Sequence, residues 1–267
     1  MIVIEKHFDI SELQILKPAT SRQQESRGRT QPIQMVCDQL RTARPLDANL
    51  CEIGHRVLAC CPVPLNSLRR STAMTLAKEI NRLLSNVIWT YPDRCSAFAT
   101  LALQDPAKAA RQLELTVQDQ GFTGALIDAN GFPLDKHKDL LPILEVAQRH
   151  KVPIYIHSDH SPQNREHAAH LAAALVNYAP RLKVILDGLD AASMLRSSMS
   201  KNYWFNTGPH CSFELLLSAQ KVIGTDHILL TTDAVEFSSL PILISTHLSI
   251  REIEGLAWRN AVELLRI

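Results

Sequence analysis

With 267 residues, 46% of them hydrophobic and 21% charged, the chain is sized and composed for a globular α/β protein with a substantial core. A net charge of +1 provides no electrostatic pull toward nucleic acid or an anionic membrane, so neither is expected as a partner. No run of about 18 apolar residues occurs, so no spanning helix is expected. The first residues also lack the basic-then-apolar layout of a secretory signal.

The first element, "IVIEKHF" (2–8), is a β-branched run that ends in Glu5 and His7. Period-two geometry carries those two side chains to one side of a strand. A carboxylate buried there is costly without a positive partner, and a metal ion is one such partner. Residues 9–50 then interrupt the pattern. They are polar and irregular ("SRQQESRGRTQ"), and they read as an insertion forming a lid or an ordinary solvated loop.

From residue 55 onward short apolar runs recur: "HRVLACC" (55–61), "CSAFATL" (95–101), "GALID" (124–128), "VPIYIH" (152–157), "LKVILD" (182–187), "YWFNTG" (203–208) and "HILLTTD" (227–233). Most are continuous rather than alternating, as in strands covered on both faces. Helical spacing lies between most of them. It runs over 71–89, 107–120, 138–150, 166–178 and 212–223, and a final segment opens on the capping box Ser249/Glu252. Eight strands alternating with helices predict a (β/α)8 barrel in one domain spanning 1–267, with a doubly wound open sheet as the alternative. No GxGxxG follows a strand and no GxxxxGK[ST] occurs. The cysteines (37, 51, 60, 61, 95 and 211) form no CxxC pair and read as buried reduced thiols of a cytoplasmic protein.

Chemistry in such a barrel sits at the C-terminal ends of the strands. Glu5 and His7 end the first strand, Asp128 the fourth, His157 the fifth and Asp187 the sixth; Asp159 and His160 follow the fifth. The seventh strand leads to Gly208 and His210, and the eighth ends in Thr231, Thr232 and Asp233. Singly, a His at a strand end reads as a hydrogen-bonded core residue and an Asp as a cap or turn former. Together, Glu5, His7, His157 and Asp233 form a nitrogen/oxygen donor set suited to one divalent ion: Zn, Mn or Fe.

These residues resemble the decarboxylase branch of the amidohydrolase superfamily, which includes aminocarboxymuconate-semialdehyde, γ-resorcylate and 2,3-dihydroxybenzoate decarboxylases. The likeness runs through "IVIEKHF", "YPDRCSAFATLALQDPAKAARQLELTVQDQGFTGALI", "VPIYIH", "PRLKVIL", "IGTDHILLTTDAVEF" and "RNAVELLRI". It implies a barrel, one Zn or Mn ion on Glu5, His7, His157 and Asp233, and a small carboxylic acid as substrate. It also implies a homodimer. Asp233 would bind or adjoin the metal and exchange a proton with the substrate. One departure concerns the sixth strand, where the family ends in Gly-His. Here the stretch reads "VILDGL", which puts Gly188 where that His is expected. His160 or His210 would have to substitute for the lost imidazole. Three readings follow: a metal-dependent decarboxylase of an aromatic or muconate-like acid, a metal-dependent hydrolase, or a catalytically impaired relative that binds a ligand or partner.

Overall fold

The computed structural model describes residues 1–5, 8–9, 31–32, 37, 54–60, 64–159, 161–195, 201–208, 211–231 and 248–267. Most of the 9–50 insertion therefore lies outside the described residues. Eight strands follow one another in chain order around one sheet. They are β1 (Ile2–Glu5), β2 (His55–Leu58), β3 (Cys95–Thr100), β4 (Phe122–Asp128), β5 (Ile154–His157), β6 (Val184–Leu186), β7 (Tyr203–Asn206) and β8 (Ile228–Leu229). Every neighbouring pair is parallel. The sheet closes on itself, because Ile4 bridges to Thr231 and its N–H donates to the Leu230 carbonyl at 3.0 Å. The expected (β/α)8 barrel is thus observed. A separate two-residue parallel pair joins Phe8–Asp9 to Gln31–Pro32.

Strand residues alternate between two cores. Val57, Phe98, Leu126, Tyr155, Ile185, Trp204 and Leu229 fill the barrel interior with Ile4. Their neighbours, such as Leu58, Ala97, Ile156, Leu186 and Phe205, pack outward against the helices. Burial on both faces is why the strands read as continuous apolar runs. Phe98 and Tyr155 meet inside with ring centroids 5.5 Å apart, and Tyr155 Oη lies 2.9 Å from Asn206 Nδ2. These residues come from alternate strands, the layered filling typical of such barrels. Gly124 makes room for it: a Cβ there would stand 2.4 Å from the Pro153 carbonyl oxygen and 3.1 Å from the Phe98 ring.

The helices are α1 (Arg70–Thr90), α2 (Pro106–Asp119), α3 (Leu141–His150), α4 (Pro162–Tyr178), α5 (Ala191–Met194) and α6 (Phe213–Ile223). Some boundaries differ from the periodicity. The 138–150 helix starts as a 3-10 stretch, Leu134–Leu140, and turns α-helical at Leu141 with a proline in its first turn. α4 begins earlier than its apolar spacing, because Ser161 caps it by accepting the Asn164 N–H at 3.3 Å. β2 and β8 are shorter than their apolar runs, since pairing between β1 and β2 ends at Glu5 with Leu58 and that between β7 and β8 at Asn206 with Leu229.

The chain ends in α7 (Ile250–Glu254), a wider π turn (Gly255–Arg259) and α8 (Asn260–Leu265). The Ser249/Glu252 capping box is formed as expected. Ala261, Leu264 and Leu265 join the interior cluster, and Asn260 Nδ2 donates to the carbonyls of Thr225 (2.7 Å) and Ile228 (2.8 Å) at the start of β8. α8 therefore closes the N-terminal mouth and leaves the opposite mouth for chemistry. Among the described cysteines, Cys60 and Cys95 are buried, whereas Cys37 and Cys211 are only half-buried. Burial pushes the Cys95 thiol up to about 12 and that of Cys211 up to about 11, which keeps both protonated and unreactive.

Two consequences can be measured. Asn81 of α1 is buried and acts as a strand would at the end of β3: its Nδ2 donates to the Thr100 carbonyl (2.9 Å) and its Oδ1 accepts the Thr100 N–H (2.8 Å). Asn81→Ala leaves both backbone groups unpaired and should cost about 2–4 kcal/mol in urea unfolding. Burial lowers the pKa of His55, outweighing its bond to the Asp93 carbonyl. Folding therefore disfavours the charged imidazole. The stabilising difference is present above the unfolded value of 6.5 and is lost as pH falls below it. His55→Gln should flatten stability across that acid range, measured by unfolding at a series of pH values.

Candidate active site at the C-terminal mouth of the barrel

Polar side chains replace apolar ones as β4, β5, β6 and β7 reach their C-terminal ends. The strand "IYIH" places Tyr155 inside the barrel, so alternation turns His157, two residues on, the same way. Ile185 and Asp187 repeat the pattern at β6, as do Trp204 and Asn206 at β7. Thr100 pairs in register with Leu126, which faces the interior, and its buried Oγ1 has no hydrogen-bond partner among the described residues.

Asp187 is the hub. Its Oδ2 lies 2.6 Å from His157 Nδ1, and its Oδ1 accepts from Tyr155 Oη (2.6 Å) and Asn206 Nδ2 (2.7 Å). Both members of the His157–Asp187 pair are almost wholly buried, with side chains 5% and 2% exposed. A buried carboxylate is costly unless its lone pairs are met, and here three donors among the described residues meet them. Thr207 and Thr231 continue the polar ring, their hydroxyls 3.3 Å apart.

Loops brace the rim. Asn66, from a 3-10 turn at Leu65–Ser67, donates to the carbonyls of Asp128 (2.9 Å) and Asn130 (3.2 Å). Asp128 accepts the Asn130 N–H at 3.0 Å, and Asn130 Oδ1 accepts the Asp159 N–H at 3.1 Å. Burial pushes the Asp128 carboxyl up from its usual range, opposed by the nearby His157 and by the bonds from Asn130. Burial also acts to raise Asp159, yet hydrogen bonds from Ser161 and Asn164 leave it lowered. The two carboxyls are thus pushed in opposite directions.

Of the residues singled out from the sequence, His157 stands where it was expected. The backbone of Glu5 ends β1, but its side chain lies outside the described residues, as do His7, His160, His210 and Asp233 entirely. Among the described residues no group of three or more His, Cys, Asp or Glu side chains could hold a metal ion. The donor that can be tested does fit one. With Nδ1 donating to Asp187, the ring offers the lone pair of Nε2, as a metal-binding imidazole must.

The sixth strand shows which of its two end residues faces inward. The side chain at its inner end is Asp187, not residue 188. Gly188 turns away at φ 78°, its N–H bonded to Asn206 Oδ1 at 3.0 Å, and a Cβ on it would stand 2.5 Å from Asp190 Oδ1. A side chain at 188 would therefore require rearrangement of its surroundings. Tyr155 and Asn206 escaped notice in the sequence. Their signal was a polar group in an apolar strand, in phase with His157 and Asp187.

Comparison with known proteins agrees with this architecture. Residues 68–189 match the family model described as Amidohydrolase. The γ-resorcylate decarboxylase of Polaromonas sp. (strain JS666 / ATCC BAA-500) is 26% identical over 255 residues, covering 72% of this chain and 76% of the relative. The crystal structure of 2,6-dihydroxybenzoate decarboxylase from Rhizobium superposes with a TM-score of 0.78 at 23% identity, covering 99% of this chain and 98% of that one. A dihydroxybenzoic acid decarboxylase from Polaromonas sp. JS666, solved with manganese and the inhibitor 2-nitroresorcinol, gives a TM-score of 0.72 at 22% identity, covering 99% and 96%. With a closed barrel and a buried imidazole at the inner end of β5, the chain is similar to the Amidohydrolase family over residues 68–189 and to the γ-resorcylate decarboxylases over most of its length.

Proposed function

We propose that the protein is a metal-dependent, non-oxidative decarboxylase of an aromatic acid of the hydroxybenzoate type or of a muconate-like acid. The observation that carries this reading is His157, buried at the inner end of β5 and held by Asp187 in the form that leaves Nε2 as a donor. Glu5, His7, His157 and Asp233 would hold one divalent ion. Manganese is favoured by the ion found in the related dihydroxybenzoic acid decarboxylase, and zinc suits the same donors. When bound, such an ion supplies positive charge beside the substrate carboxylate or a neighbouring hydroxyl.

The chain's own groups would then act as follows. Asp233 gives a proton to the ring carbon that bears the carboxylate. That carbon becomes tetrahedral, its bond to the carboxylate breaks, and carbon dioxide leaves as the bonding pair restores ring conjugation. His160 and His210 are proposed as rim residues that assist the transfer. One barrel domain spanning 1–267, paired as a homodimer in the cytoplasm, completes the proposal.

A second reading, an impaired relative that binds a ligand without turning it over, is favoured by one observation. β6 leads into Asp187 and Gly188, where the resemblance calls for Gly-His, so Gly188 supplies no imidazole.

Metal analysis of the purified chain should find one divalent ion per chain. Chelation should abolish carbon dioxide release from 2,6-dihydroxybenzoate, and Mn²⁺ should restore it. His157→Gln should lose most of the ion and the activity together. A protein that holds its ion but releases no carbon dioxide from any hydroxybenzoate would favour the second reading. A protein that takes up no ion would overturn both the metal site and the mechanism.

A further inference from the structure

We propose that Asp187 is a positioning residue that holds His157 as the Nδ1–H tautomer, so that Nε2 is the atom offered to a divalent cation. This rests on the metal-dependent reading above and deepens it. It assigns a role to the side chain next to Gly188, the position at which the resembling family is expected to carry an imidazole.

The direction of every hydrogen bond in the network follows from one group whose identity is not adjustable. Gly188 N–H is a backbone donor, and it lies 3.0 Å from Asn206 Oδ1. The Asn206 amide is therefore oriented with Nδ2 toward Tyr155 Oη (2.9 Å) and Asp187 Oδ1 (2.7 Å). Tyr155 Oη accepts from Asn206 and spends its own hydrogen on Asp187 Oδ1 at 2.6 Å. Two donors thus converge on one oxygen of the carboxyl, which favours its ionised form. The other oxygen, Oδ2, can only accept, so the hydrogen in the 2.6 Å contact belongs to His157 Nδ1. The Nε2 lone pair is then available.

Burial makes the arrangement consequential. Tyr155 is fully buried, and His157, Asp187 and Asn206 are almost so, so no water replaces a lost partner without rearrangement. The isosteric change Asp187→Asn shows why the tautomer is the vulnerable quantity. The oxygen of the substituted amide would stay with the two donors, Tyr155 and Asn206. The NH2 of that amide would then face His157 Nδ1, which would have to accept, and the ring hydrogen would move to Nε2.

The test uses the full chain and Mn²⁺ as the probe. Nitrogen-15 NMR of the histidine-labelled, metal-free protein, with the His157 signals assigned by their loss in His157→Gln, should show wild-type His157 as the Nδ1–H tautomer. In Asp187→Asn it should show the Nε2–H form. Mn²⁺ affinity, measured by chelator competition, should fall by about 10–100-fold in Asp187→Asn. Wild-type His157 in the Nε2–H form overturns the proposal, and that measurement needs no variant to fold. Wild-type Mn²⁺ affinity in a folded Asp187→Asn overturns it too, provided His157→Gln does lose the ion. If His157→Gln itself binds Mn²⁺ as the wild type does, the metal-dependent reading is what fails.

Discussion

The hydrogen bond from Ile4 N–H to the Leu230 carbonyl, with the bridge to Thr231, joins the first strand to the last. Without that closure the eight parallel strands would form an open sheet with two bare edges, each a row of unpaired backbone groups. With it the edges vanish and the inward side chains acquire a common interior. Residues near position 5 and near position 231 become neighbours, although more than two hundred residues of chain lie between them. Every feature of the site depends on this ring being shut.

A closed ring also has two ends, and the chain treats them differently. α8 seals one end with Ala261, Leu264 and Leu265, while Asn260 satisfies carbonyls at the start of β8. The other end carries His157, Asp187, Asn206 and Thr231, which could not be buried there as isolated polar groups. Their mutual bonding resolves the cost. Among the described residues Asp187 accepts three hydrogen bonds, and the bond from Gly188 N–H to Asn206 ties the network to backbone geometry. A network satisfied in this way holds its members in one orientation, which is what a metal ligand or a catalytic group requires.

The sequence by itself determined the barrel, because burial on both strand faces leaves a periodic trace. Eight apolar runs alternating with amphipathic stretches were legible residue by residue, as were His157 at a strand end and the Ser249 capping box. Local composition carries that information, since each run reports only on its own two faces. Strand lengths were less legible: an apolar run such as 55–61 continues beyond the point at which its neighbour stops pairing.

Tertiary structure alone decided what the polar residues do. Nothing in "VILDGL" says whether residue 187 or 188 faces inward; that follows from the register of β6 against β5 and from the backbone turn at Gly188. Nor does any local pattern tie Tyr155, Asp187 and Asn206 to His157, because hydrogen bonds between residues about 30 and 50 positions apart leave no periodic mark. The strands could be read singly, whereas the partners of the imidazole existed only once the cylinder had closed.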